Sequence, residues 1–244
     1  MIREPGMNDF HIRILSPVVS TNRSFEAEQA VLATPGVRLS KVHVAHGTRS
    51  IESLHDSALS VPELLRLAAE AEQEGVDALV IDCMADPGLM ALRERVAIPV
   101  LGPSQTAMHL AALLGHRFSV VTLARHLRVL FDTAASSYGT ASSMASCRWI
   151  DMAAGELAGS QDRVRAAVLA QAVKAVEEDK ADTIILGCTG LLGLAEEVAS
   201  GLNDRGYDAL VIDPLPATIR QAHAIVAAGL SHSRDAYPLP ARLR

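Results

Sequence analysis

Short runs of consecutive apolar residues alternate along this chain with longer stretches in which apolar positions recur every three or four residues. The first kind has strand length and is bounded by turn-forming residues, whereas the second repeats with the pitch of a helix. The strands this pattern predicts cover Ile12 to Leu15, Leu39 to Val44, Ala78 to Ile81, Val96 to Leu101, Phe118 to Thr122, Cys147 to Asp151, Thr183 to Leu186 and Ala209 to Ile212. Helices are predicted over Pro62 to Glu74 and Arg163 to Glu178. Strands that are apolar throughout, rather than alternating, are buried on both faces, as in a parallel sheet covered by helices. The expected class is α/β, with doubly wound parallel sheets of the Rossmann or flavodoxin kind.

The pattern occurs twice. Val76-Asp-Ala-Leu-Val-Ile-Asp-Cys83 corresponds to Ala181-Asp-Thr-Ile-Ile-Leu-Gly-Cys188, each after an amphipathic helix rich in Ala and Glu. Ile98-Pro-Val-Leu-Gly-Pro103 corresponds to Ala209-Leu-Val-Ile-Asp-Pro214, and Ile12-Arg-Ile-Leu-Ser16 to Phe118-Ser-Val-Val-Thr122. Three elements repeated in order at an offset of about one hundred residues imply two similar lobes related by a pseudo-twofold axis. Ligands of open parallel sheets sit beyond the carboxyl ends of the strands, so the two lobes are expected to share a cleft. Cys83, Cys188, Ser16 and Thr122 all fall at such ends.

Composition narrows the partner. With 244 residues, 49% of them apolar, the chain has the material for one large domain or two lobes. A formal net charge of −6 with scattered basic residues leaves no footprint for nucleic acid or an anionic membrane surface. No apolar run approaches the roughly 20 residues of a membrane span, and the first residues lack the apolar segment of a secretory signal. A cytoplasmic protein acting on a small molecule is expected. Three cysteines, an odd number, argue against a disulfide framework there.

The thiols carry the candidate chemistry. A cysteine placed where a buried strand gives way to a helix sits beside unpaired backbone N–H groups, which favour the thiolate. Two such groups across a cleft would make an acid and a base from one side-chain type. Cys147, in Ser-Cys-Arg-Trp, has no counterpart in the repeat and reads as structural, as does Asp82. Asp86-Pro-Gly reads as a helix start with Asp86 as N-cap. Ser16 and Thr122 are hydroxyls placed either to bond a substrate carbonyl or to cap the next helix. His109 reads as a packed helical residue. The three lysines, Lys41, Lys174 and Lys180, offer no evident Schiff-base site, and no histidine spacing resembles a zinc site. No cofactor and no metal are expected. Gly187-x-x-Gly190-x-x-Gly193 lacks the close of a phosphate-binding loop.

Laid out this way, the residues resemble the aspartate/glutamate/hydantoin racemase superfamily, most closely its hydantoin and allantoin racemase branch. The carriers are Cys83-Met-Ala-Asp-Pro-Gly-Leu89, Leu186-Gly-Cys-Thr-Gly190, Ser50-Ile-Glu-Ser53 with Asp56, and the tail from Ser231 to Pro238. The resemblance implies a cofactor-independent racemase in which Cys83 and Cys188 flank the stereocentre and exchange base and acid roles with the enantiomer bound. It implies donors to an enolate oxygen, for which the N–H groups of Met84, Ala85, Thr189 and Gly190 are candidates, and a loop over the ligand with contacts from Ser50 and Glu52. It also implies lobe bounds of 1–101 with 213–244, carrying Cys83, and 102–212, carrying Cys188, in a homo-oligomer of two or more chains. Two departures bear on the substrate. The loop after the first strand reads Ser16-Pro-Val-Val-Ser20 where the branch has Asn-Pro-Asn-Thr/Ser, and Gly190 stands where amino-acid racemases carry an acid or histidine. A hydantoin-like substrate, a 5-substituted hydantoin or allantoin, is the first expectation and an amino acid the second. The alternatives are a maleate-type cis–trans isomerase or a decarboxylase on the same scaffold, or a non-enzymatic small-ligand-binding protein.

Overall fold

The computed structural model describes residues 9–20 and 24–243. The first sheet is built from β1 (Phe10–Ser16), β2 (Val37–His43), β3 (Ala78–Ile81) and β4 (Val100–Leu101), linked by α1 (Phe25–Leu32), α2 (Leu54–Gln73) and α3 (Leu89–Arg95). After α4 (Pro103–Leu114) the second follows, from β5 (Phe118–Thr122), β6 (Met144–Trp149), β7 (Thr183–Leu186) and β8 (Leu210–Ile212). Its helices are α5 (Arg128–Ser137), α6 (Gln161–Glu177) and α7 (Ala195–Asn203), and α8 (Pro214–Ala227) comes last. All eight expected strands are present, and the α/β class holds.

Both sheets are wholly parallel with the same strand order, β2-β1-β3-β4 and β6-β5-β7-β8. Parallel neighbours need crossover connections, which is why helices separate the strands. In each sheet the chain steps outward from its first strand in both directions. That reversal makes a crevice at the carboxyl ends of β1 and β3, and another at those of β5 and β7. Every residue of β3 and β7 is buried, as continuous apolar runs require. Ile12, Ile14, Leu79 and Ile81 fill one core and Phe118, Val120, Ile184 and Ile185 the other, all fully buried.

The described residues divide into two compact units, one running to Pro103 and resuming at Thr218, the other Ser104–Ala217. The breaks fall in the first turns of α4 and α8. Most of α8 therefore belongs with the first unit, where its His223 ring lies 5.6 Å from that of Phe10. The tail that follows covers the outer edge of β4. His232 Nε2 accepts from the Val100 N–H at 2.8 Å, and the Arg234 guanidinium donates to the carbonyls of Arg93 and Val96 at the end of α3. Edge strands are templates for unwanted pairing, and this segment occupies one.

Two expectations are corrected here. α2 begins at Leu54 and keeps Pro62 inside it. Its start is fixed by Ser53, whose hydroxyl accepts from the Asp56 N–H at 3.0 Å and donates to Asp56 Oδ2 at 2.8 Å. His109 on α4 is exposed rather than packed, with Nδ1 2.8 Å from the Gln105 carbonyl.

Candidate active site

Each thiol stands just beyond the third strand of its own sheet, in a turn of the same design. After β3, the Ala85 N–H donates to Cys83 Sγ at 3.4 Å, and the Asp86 N–H to the Cys83 carbonyl at 3.0 Å. After β7, the Gly190 N–H donates to Cys188 Sγ at 3.3 Å, and the Leu191 N–H to the Cys188 carbonyl at 3.0 Å. Five residues past each cysteine a glycine takes positive φ, 70° at Gly88 and 87° at Gly193, and the chain turns into its helix there. Both thiols are partly exposed, whereas their strands are sealed.

The helix expected directly after each thiol starts further on, and local N–H donors stand beside the sulfur instead. α3 starts at Leu89 with Gly88 as its N-cap, so Asp86 is not the cap. Its φ of 46° puts it in the left-handed region that Asp tolerates better than most residues. Cys188 caps a single 3₁₀ turn over Thr189–Leu191, and α7 starts only at Ala195. An N–H aimed at sulfur favours negative charge there without a helix behind it.

The remaining candidates sort by unit. Ser16 ends β1, one residue past the Leu15–Ile81 pair with β3; it is fully buried, and its hydroxyl meets no hydrogen-bond partner among the described residues. Its counterpart Thr122 ends β5, also fully buried, with its hydroxyl 3.4 Å from the Gly187 carbonyl. Ala85 and Gly190, expected as donors to a substrate oxygen, direct their N–H groups to sulfur. Met84 and Thr189, the first residues of the two turns, are buried. Ser50 and Glu52 lie half-buried before α2, where the Glu52 N–H donates to the Asp56 carboxylate. The Ser53 hydroxyl and that N–H hold the Asp56 carboxyl below its ordinary value, so the acid of this segment serves the helix cap.

Carboxylates around the turns have distinct duties. Asp77 and Asp182, which open the two apolar runs, bind backbone N–H groups at the opposite ends of the strands: Asp77 that of His11 at 2.8 Å, Asp182 those of His116 and Arg117 at 2.9 and 3.0 Å. Burial alone would raise the Asp182 carboxyl, and these donors more than offset it. Their repetition therefore reflects sheet construction. Asp86 lays its carboxylate against Gly102, where a Cβ would fall 2.4 Å from Asp86 Cγ. In the second unit Asp213 stands at the position of Gly102, and its carboxylate accepts from the Gly193 N–H at 2.7 Å. Asp82, beside Cys83, pairs with the Lys41 ammonium at 2.7 Å, and Lys41 with Glu28 at 2.7 Å. Cys147 lies buried in β6, where burial first, and then Asp132, push its thiol up to about 12.

Among the described residues no cluster of His, Cys, Asp or Glu is arranged to hold a metal ion, and no helix is long and apolar enough to cross a membrane. The profile of the Asp/Glu/Hydantoin racemase family matches residues 16–222. A hydantoin racemase of Paenarthrobacter aurescens is 34% identical over 219 residues, spanning 88% of this chain and 89% of that protein. One from Pseudomonas sp. (strain NS671) is 31% identical over 225 residues, 91% and 88% of the two chains. Among solved structures, the allantoin racemase from Klebsiella pneumoniae superposes with a TM-score of 0.87 at 29% identity, covering 95% of this chain and 94% of that one. With its matched thiol turns on two sheets of one topology, the chain is a racemase, an isomerase by reaction class, and belongs to the Asp/Glu/hydantoin racemase family.

Proposed function

We propose that the protein inverts a stereocentre next to a carbonyl without a cofactor, using Cys83 and Cys188 as its two proton-transfer groups, and that its substrate is hydantoin-like. The observation that carries this reading is the identical construction of the two thiol turns, each with an N–H on sulfur two residues along. A free thiol titrates near 8.5, so donors of this kind bring a thiolate within reach of neutral pH. One thiolate removes the α-proton, the electron pair moves onto the carbonyl oxygen, and the other thiol returns a proton to the opposite face. With Ala85 and Gly190 turned to sulfur, Met84 and Thr189 are the preferred N–H donors to that oxygen. The buried Ser16 hydroxyl, without a partner among the described residues, is a further polar group at the same crevice. Thr122 and the loop residues Ser50 and Glu52 take supporting places in the proposal. We assign the protein to the cytoplasm as a homo-oligomer on the same footing.

The test uses single enantiomers of 5-substituted hydantoins, allantoin and amino acids in heavy water, reading deuterium at the α-carbon by mass spectrometry and inversion by optical rotation. Wild type should exchange and invert. Cys83→Ser and Cys188→Ser should each lose inversion by about 10³-fold or more, as removal of a proton-transfer group does, and each should keep slow exchange from one enantiomer, not the same one. Full inversion by either variant refutes the assignment. Conversion of maleate, followed by absorbance, would favour the isomerase alternative.

A further inference from the structure

The outer edges of the two sheets are finished differently. β4 and β8 hold the same edge place, and the repeat sets Val100 against Val211. Alternate residues of an edge strand turn their N–H and carbonyl groups away from the sheet. Val100 is one of these, and the tail after α8 covers it: His232 Nε2 accepts from its N–H at 2.8 Å, while the Arg234 guanidinium holds carbonyls at the end of α3. In β8 the Leu210 N–H donates inward to the Asp182 carbonyl at 3.0 Å, so Val211 turns its backbone groups outward, where nothing among the described residues covers them. The connections explain the difference. After α8 the chain passes Gly229 and runs on along β4, whereas after α4 it passes Gly115 and enters β5 at Phe118, leaving no tail for β8. A groove of about 580 Å³ stands there, wholly within the second unit and bounded by the end of α4, β8 and α7.

We propose that this groove receives the C-terminal segment Pro240–Arg244 of a second copy of the chain, laid along β8 as the tail of the first unit is laid along β4. The surface is independent of the two-thiol reading and gives the expected oligomer a specific contact. Leu114 and Leu210 line the groove and stand 65% and 41% exposed. Its charged lining is acidic: Asp182, Glu196 and Asp208. Asp182 is occupied by the His116 and Arg117 N–H groups, but Glu196 and Asp208 meet no cation among the described residues. The segment is the complement, with Arg242, Leu243 and Arg244 and no acid among its five residues, and Ala241 to Leu243 are exposed. In extended form it sends both arginines to one side and Leu243 to the other, and its backbone supplies the bonds that Val211 lacks. The 3₁₀ turn over Ala241–Leu243 is a single turn, so little structure has to open first. The end of α7 does not compete for the arginines, because Arg205 already donates to the Gly201 carbonyl at 2.6 Å. Reciprocal exchange of the segment closes a pair of copies.

The experiment is size exclusion with light scattering on the full chain, on a chain ending at Leu239, and on charge variants, with circular dichroism as the check on folding. Wild type should be a dimer or larger, and its assembly should weaken as salt rises, since exposed charges carry part of the contact. The shortened chain and Leu210→Glu should run as monomers. Glu196→Lys with Asp208→Lys should lose the assembly, and adding Arg242→Glu and Arg244→Glu to that pair should restore it, which a mere folding defect would not allow. A monomeric wild type overturns the proposal and the oligomer assignment together. A shortened chain or a folded Glu196→Lys/Asp208→Lys variant that assembles like wild type overturns this surface alone and leaves the oligomer standing on another.

Discussion

Gly187 shows how tightly single residues are held at the thiol turns. A Cβ there would lie 2.8 Å from Val120 Cγ1, 2.9 Å from the Val121 carbonyl and 3.0 Å from Thr122 Cα. Two of those atoms are backbone and have nowhere to go, so Gly187→Ala should cost about 1–3 kcal/mol, read from the urea midpoint, and should displace Cys188. Cys147 makes the opposite case. Its thiol is buried and pushed up to about 12, so at neutral pH iodoacetamide should label Cys83 and Cys188 and reach Cys147 only on unfolding. Labelling of Cys147 in the native protein at a comparable rate would contradict this. The places of the two candidate thiols, just past β3 and β7, were legible in the sequence because an apolar run before each cysteine fixes where a strand ends. Lys41 was not. Nothing local in β2 marks it as buried, and its partners, Glu28 in the preceding helix α1 and Asp82 just past β3, come within 2.7 Å of it only in the folded unit.

At the scale of elements, strands were easier to read than helix starts. β3, β5 and β7 have the expected bounds because burial on both faces favours near-continuous apolar runs, broken only by Ser119, Thr122 and Thr183, small residues whose hydroxyls find hydrogen-bond partners. α2 begins eight residues before Pro62, which resembled a first-turn proline. The ring lies inside the helix and removes one backbone donor, while the Ser60 hydroxyl donates to the Ser57 carbonyl at 2.8 Å nearby. The true start is set by Ser53 and Asp56, a capping pair in which the shorter acid takes the usual place of Glu. Ser53→Ala should destabilise the protein by about 1 kcal/mol, with faster amide exchange in the first turn of α2. An unchanged urea midpoint would remove the cap from the account.

Across the whole molecule, the tail after α8 ties its first unit together in a pH-dependent way. Burial first, and then the charge of Arg93, lower the His232 pKa from 6.5 to about 4, and its Nε2 must stay unprotonated to accept the Val100 N–H. Between those values the unfolded chain binds the proton more readily than the folded one. Stability is therefore complete above pH 6.5 and is lost as the pH falls toward 4. The loss by about pH 5 should be on the order of 1 kcal/mol after allowance for solvent screening. Urea midpoints at neutral and mildly acid pH check this, and His232→Gln should flatten the difference.

The paired aspartates lead to one more consequence. Asp86 beside Gly102 and Asp213 at the corresponding corner of the other unit show that each half needs a single acid there but draws it from a different strand–loop junction. A residue transplanted alone from one half to the other would leave that corner either doubly charged and sterically jammed or with no acid at all. Anyone grafting these halves onto one another, to build a symmetric ancestor or a chimeric catalyst, has to move the acid and its glycine as a linked pair.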